Sequence, residues 1–139
     1  MTELRRSLAK AGAVLFFIGM ITGLWSAAAL TGQVAIDIPR LALAAHLNAL
    51  IGGLWCIAVA WTFDYMCYGE TWMRRLAILT AGPAWANWLL TVVASILGVR
   101  GLEYGGPTAN SVMAALLQIF VVVPALFGAA TWALGFRRR

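Results

Sequence analysis

Four apolar stretches, at roughly residues 11–31, 41–63, 76–98 and 112–136, occupy most of this 139-residue chain, and none of its five acidic residues lies inside them. A helix rises about 1.5 Å per residue, so each stretch is long enough to cross the roughly 30 Å hydrocarbon layer of a bilayer. With 63% hydrophobic residues and 11% charged, a chain this short has too little interior to bury such segments in water. Lipid is the solvent this pattern fits. The expected fold is all-α, an integral membrane four-transmembrane-helix bundle that uses residues 1–139 as a single domain.

The segments between the stretches hold the turn-forming and charged residues: Gln33, Asp37, Pro39 and Arg40, then Asp64, Glu70, Arg74 and Arg75, then Arg100, Glu103, Gly105, Gly106 and Pro107. If the chain starts inside, Arg5, Arg6, Lys10, Arg74, Arg75, Arg137, Arg138 and Arg139 share one side, and Arg40 and Arg100 lie opposite. Basic residues near helix ends stay cytoplasmic, so both termini and the middle connection are expected to face the cytoplasm. The expected location is a bacterial-type inner, or cytoplasmic, membrane, crossed several times. Arg5, Arg6 and Lys10 before an apolar run ending at Ser26-Ala27-Ala28-Ala29 also have the outline of a signal peptide. The length of the run favours a permanent helix. The low charge content excludes a nucleic-acid partner, and Cys56 and Cys67, without CxxC or zinc spacing, read as structural.

Polar groups within lipid are costly unless satisfied, which makes the few inside the spans informative. His46, the sole histidine, lies about 9 Å beyond Arg40 along the second helix, in the outer half of the membrane. It is either a satisfied polar side chain between helices or a ligand for metal or haem iron. Asn48 points to nearly the opposite face of that helix. Asn87, Thr91 and Ser95, four residues apart, form one stripe on the third helix, which serves as interhelical glue, as a substrate-orienting surface, or as both. Gln118 and Pro124 fall within the fourth span and Pro83 within the third, where its missing N–H frees a carbonyl. Gly19 and Gly23 have the GxxxG spacing of a close helix contact, within or between chains.

What is missing prunes the alternatives. Cation-coupled export needs a carboxylate in the membrane, a quinone-linked disulfide enzyme needs paired cysteines, and a bis-histidine cytochrome needs a second histidine. Any haem here would be five-coordinate, with iron open to a substrate.

Ala45-His46, the small pair Gly52-Gly53, Trp85-Ala86-Asn87, the loop Arg100-Gly101-Leu102-Glu103-Tyr104-Gly105 and Pro124-Ala125-Leu126-Phe127-Gly128 follow in that order along the chain. In this order the sequence resembles the small four-helix membrane isomerases that include styrene oxide isomerase and hydroxylaminobenzene mutase. The resemblance implies a haem b whose iron is bound by His46, within a homo-oligomer, a trimer, whose subunits meet around the cofactors. Epoxide-converting members are expected to carry an asparagine six residues after the histidine and a tyrosine six residues after the helix-three tryptophan. This chain has Gly52 and Thr91 there.

Those departures favour the other branch of the resemblance: transfer of the hydroxyl of an N-arylhydroxylamine, such as hydroxylaminobenzene, to the ortho ring carbon, giving 2-aminophenol. Ferric haem would act as Lewis acid on the oxygen. The alternatives are isomerisation of an aryl epoxide to an aldehyde and, in another class, a non-enzymatic membrane assembly subunit or haem-binding protein. On the isomerase reading the partner is an aromatic small molecule. Asn48, Asn87, Thr91 and Trp88 are then the candidates for binding it, with Asn87 and Thr91 orienting its NH or OH. Trp85 is a candidate for packing on the porphyrin and Arg100 for pairing with a propionate at the membrane boundary, against packing and interfacial anchoring respectively. Tyr104 and Asn110, in the outer loop, are placed to cap the pocket or bind a propionate, against ordinary loop hydrogen bonding, which is the preferred reading.

Overall fold

The structure, a computed structural model, describes residues 1–136. Arg137, Arg138 and Arg139, three of the basic residues assigned to the cytoplasmic side, lie outside the described residues. Four helices, α1 (Thr2–Leu30), α2 (Pro39–Trp61), α3 (Glu70–Leu97) and α4 (Thr108–Leu134), are long and apolar enough to span a membrane. Among the described residues there is no strand.

The helices start earlier than the apolar runs. α1 begins nine residues before position 11 and α3 six before position 76, because nothing between those points breaks a helix. Leu8 is buried and Leu4 packs beside it, so the first turns of α1 already belong to the core. Glu70 occupies the first turn of α3 and accepts from Arg74 one turn on. α2 starts on Pro39, whose absent N–H is no loss in a first turn. α3 ends at Gly98, where φ is +63° and an added Cβ would lie 2.6 Å from Asp37 Oδ2. Both conformation and space demand glycine there.

Helix packing follows a seven-residue repeat of small side chains. Leu8, Gly12, Leu15, Gly19, Thr22, Ser26 and Ala29 are the buried residues of α1, alternately four and three apart. Ala42, Ala45, Ala49, Gly52, Cys56 and Val59 continue the same spacing in α2. Such a repeat keeps one seam facing its neighbour. A Cβ on Gly12 would stand 2.6 Å from the carbonyl oxygen of Gly53, and one on Gly53 would stand 2.7 Å from that of Gly12. Gly19 and Gly23 meet Ala49, Leu50 and His46 of α2. The GxxxG spacing therefore marks a contact within the chain.

α4 packs mainly on α3, through two prolines. Pro83 is buried within an uninterrupted α3 and cannot donate to the carbonyl of Leu79, four residues back. Gly128 of α4 covers that carbonyl so closely that an added Cβ would lie 2.5 Å from its oxygen. Pro124 follows a π-helical turn at Gln118–Val122, in which the N–H of Val123 reaches back to Gln118. The wider turn relieves the clash that a proline ring makes with the preceding turn of a regular helix. Gln118 itself is exposed.

Connections alternate between the two ends, as the spans require. At one end Arg5 pairs with Asp64, the N–H of Cys67 donates to Gly135 O (3.0 Å), Tyr68 Oη donates to Thr131 O (2.8 Å), and Trp132 Nε1 donates to Thr62 Oγ1 (2.9 Å). These bonds gather the amino-terminal end, the α2–α3 connection and the end of α4. At the other end Ser95 Oγ donates to Ile38 O, and Asp37 sits against Gly98.

Gly128→Ala should destabilise the bundle by about 1–3 kcal/mol, since its methyl group meets backbone rather than a movable side chain. Gly82→Ala, exposed in mid-helix and touching no other helix, sets a helix-propensity gain against the crowding of its Cβ by the following Pro83 ring and should change stability by less than about 1 kcal/mol. Thermal unfolding of both variants in detergent measures the contrast.

Candidate functional site

His46 sits half-buried on α2 with its ring laid against α1. Nδ1 is 2.7 Å from the carbonyl oxygen of Gly19. A Cβ on Gly23 would lie 2.8 Å from Cε1 and 2.9 Å from Nδ1, so the missing side chain of Gly23 is the space the imidazole occupies. A carbonyl only accepts, which makes Nδ1 the protonated nitrogen of the neutral ring and leaves the Nε2 lone pair uncommitted. Ligating histidines are commonly held in this tautomer by a backbone acceptor. The donor set thus fits a single-histidine iron ligand. Among the described residues no cluster of three His, Cys, Asp or Glu offers an alternative metal site.

Asn48, two residues on, faces the other flank. Its Nδ2 donates to Asn87 Oδ1 (3.2 Å) and to Thr91 Oγ1 (3.0 Å), while Thr91 Oγ1 donates to the Asn87 carbonyl (2.6 Å). The stripe expected on α3 does face protein: Thr91 and Ser95 are buried, and Asn87 is engaged by α2. Beside this cluster lies a cavity of about 110 Å³, bounded by Asn48, Trp55, Pro83, Asn87 and, from α4, Val121 and Ala125. Val121 belongs to the π-helical turn, so that irregularity shapes the cavity wall. Gly52 lines it too, with Ala84 so close that an added Cβ would stand 3.0 Å from the alanine methyl.

The other sequence candidates are distributed around these two flanks. Trp88 Nε1 donates to Thr22 Oγ1 (3.1 Å), and Thr22 donates in turn to Ile18 O, which ties α3 to α1. Trp85 stacks edge to face on Trp88, with centroids 6.0 Å apart, and packs against the core. Arg100 is exposed in the α3–α4 connection, at the rim of a depression of about 620 Å³ shared with Glu103, Tyr104 and Asn110. Asn110 organises that loop: Oδ1 accepts from the N–H groups of Arg100 and Gly101, and Nδ2 donates to the carbonyls of Glu103 and Gly105. This is the loop role expected of it. The fold unites Asn48, Asn87 and Thr91, and separately Trp85 and Trp88, but holds His46 and Asn48 on opposite flanks of α2.

Sequence reasoning did not single out Thr22 or assign Gly19 and Gly23 to the histidine. The signal was present, because Gly19, Thr22 and Ser26 belong to the small-residue heptad of α1.

The family model of styrene oxide isomerase matches residues 4–137. This chain belongs to the styrene oxide isomerase family. Hydroxylaminobenzene mutase HabB of Ectopseudomonas oleovorans is 27% identical over 124 residues, which cover 86% of this chain and 71% of the mutase. Hydroxylaminobenzene mutase HabA of the same organism is 27% identical over 130 residues, 88% of this chain and 90% of that mutase. The family makes the chain an isomerase, and its four spans make it a multi-pass membrane protein.

Gly23→Ala should push the imidazole off α1 and break the bond to Gly19. Nitrogen NMR of labelled histidine should show the Nδ1-protonated tautomer in the wild type and a mixture of tautomers in the variant; a mixture in both would refute the tautomer assignment.

Proposed function

We propose that this family member is a haem-dependent mutase, which moves the hydroxyl of an N-arylhydroxylamine such as hydroxylaminobenzene to the ortho carbon and yields 2-aminophenol. The observation that carries this reading is the Nδ1–Gly19 bond, which leaves His46 Nε2 available to iron. Two further facts support the substrate: the relatives matched over most of the chain are named hydroxylaminobenzene mutases, and Gly52 and Thr91 replace the groups expected to position an epoxide. Gly52 is packed on Ala84, so the Cβ of an asparagine there would require the alanine to give by a few tenths of an ångström.

In this proposal His46 holds haem b, and Arg100, at the end of the bundle where α2 begins, pairs with a propionate. Bound ferric haem supplies a Lewis-acidic iron to the substrate oxygen. The chain does the rest. Gly19 and Gly23 fix the imidazole, and Trp85 and Trp88 set the spacing of α3 from α1. Asn48, Asn87 and Thr91 orient the polar end of the substrate. Apolar helices keep out water, which would otherwise attack the electron-poor ring as the N–O bond opens. The ortho hydrogen leaves as a proton and the nitrogen gains one, so the reaction is redox-neutral.

His46 and the amide cluster occupy opposite flanks of α2, so a site using both draws on more than one copy. The pairing is heterologous, one flank against the other, and closes as a ring; a trimer is the assembly proposed. The membrane proposed is the bacterial inner membrane, with the basic ends cytoplasmic.

The oxidised and dithionite-reduced absorption spectra of the detergent-purified protein should show about one haem per chain. His46→Ala should lose stoichiometric haem and 2-aminophenol formation together. A colourless wild type that haem addition does not activate, or an unchanged haem content in the variant, would overturn the proposal. Phenylacetaldehyde formed from styrene oxide faster than 2-aminophenol from hydroxylaminobenzene would reverse the substrate assignment.

A further inference from the structure

The hydrogen-bond polarity of the Asn48–Asn87–Thr91 cluster is determined by one proton. The Thr91 hydroxyl donates to the backbone carbonyl of Asn87 at 2.6 Å, a bond in which the carbonyl can only accept. With its proton committed, Thr91 Oγ1 must receive a donor from Asn48, and the Asn48 group facing it is therefore the NH₂. The same NH₂ lies 3.2 Å from Asn87, so the Asn87 group facing it is the carbonyl oxygen. Both amides are thereby oriented. What remains is the Asn48 side-chain carbonyl oxygen, an acceptor, and the Asn87 NH₂, a donor, neither hydrogen-bonded to another group among the described residues. Both residues border the cavity of about 110 Å³, whose other walls, Trp55, Pro83, Val121 and Ala125, are apolar.

From this we infer that the cavity receives the polar substituent of an aromatic substrate, selects one that both donates and accepts a hydrogen bond, and discriminates against substituents that only accept. An arylhydroxylamine has both capacities: its oxygen accepts a hydrogen bond from Asn87 Nδ2, and its N–H or O–H donates one to Asn48 Oδ1. An aryl epoxide has an oxygen acceptor only and offers Asn48 Oδ1 no donor. Sites built to hydrogen-bond a substrate group reject analogues lacking it far more strongly than apolar pockets reject a change of size. Thr91 sets this selectivity from a distance, as a positioning residue, through the direction of its hydroxyl. The inference rests on the arylhydroxylamine reading and gives it a recognition chemistry.

A pair of isomeric, unreactive probes tests it. Para-fluorobenzyl alcohol carries an O–H donor and para-fluoroanisole does not, and fluorine NMR titration of the purified full-length protein reads their binding. The wild type should bind the alcohol about tenfold more tightly than the ether. Thr91→Val removes both the proton that commits the network and the acceptor for Asn48, and should bring the ratio close to one; Thr91→Ser should restore it. Equal affinities in the wild type, or a preference that Thr91→Val leaves intact, would overturn the inference. A Thr91→Val protein too unstable to assay is replaced by Asn48→Leu, which removes the acceptor that only the alcohol can use and should bring the ratio close to one. Turnover of hydroxylaminobenzene is scored separately: alcohol preference without turnover sinks the proposed function and leaves the cavity's selectivity standing, whereas turnover without preference does the reverse.

Discussion

Everything in this bundle depends on how closely α1 and α2 approach. In lipid there is no hydrophobic gain from bringing two apolar helices together, so their contact relies on van der Waals packing at short range and on polar groups that find partners. Gly12 and Gly53 supply that range by leaving each other's carbonyl uncovered. Two turns further along, the same approach allows an imidazole on α2 to reach a backbone oxygen of α1, and Gly23 leaves room for its ring. A larger residue in the seam would part the helices and release the histidine from the bond that defines its tautomer. The scaffold and the proposed iron ligand are consequences of one packing geometry.

The second half of the chain is assembled by a different device. Two prolines remove helical donors in a solvent that cannot replace them. Pro83 exposes a carbonyl that Gly128 covers, and Pro124 is accommodated by a wider turn whose Val121 borders the cavity. The irregularity that proline imposes on α4 is thus placed beside the amide cluster. α1 and α2 form a tight pair through small side chains, whereas α2, α3 and α4 leave a void whose polar groups come from α2 and α3.

Much of this is legible in the sequence. The spans, their order and the polar character of the Asn87–Thr91–Ser95 stripe follow from length and spacing, and His46 stood out because a lone imidazole in an apolar helix is costly. That Asn48 turns away from His46 follows from the helical period. The boundaries of α1 and α3 were less legible, since hydropathy reports where lipid begins and the helix continues beyond it. The bond between Trp88 and Thr22 was not legible, because the two residues lie 66 apart and meet only through the register of α3 against α1. Asn110 needed no tertiary information, being held by its own loop.

The sequence by itself determined the solvent, the number of crossings and the chemical inventory of the membrane interior: one imidazole, a few amides and hydroxyls, and no carboxylate. Those properties depend only on composition and on period along a single helix. Which groups meet was decided by tertiary structure alone, because it depends on the register between helices, and a shift of one turn would separate Asn48 from Thr91 or His46 from Gly19. The polarity of the amide cluster belongs to that second category. It follows from the direction of one hydroxyl proton, and that direction exists only once α2 and α3 are side by side.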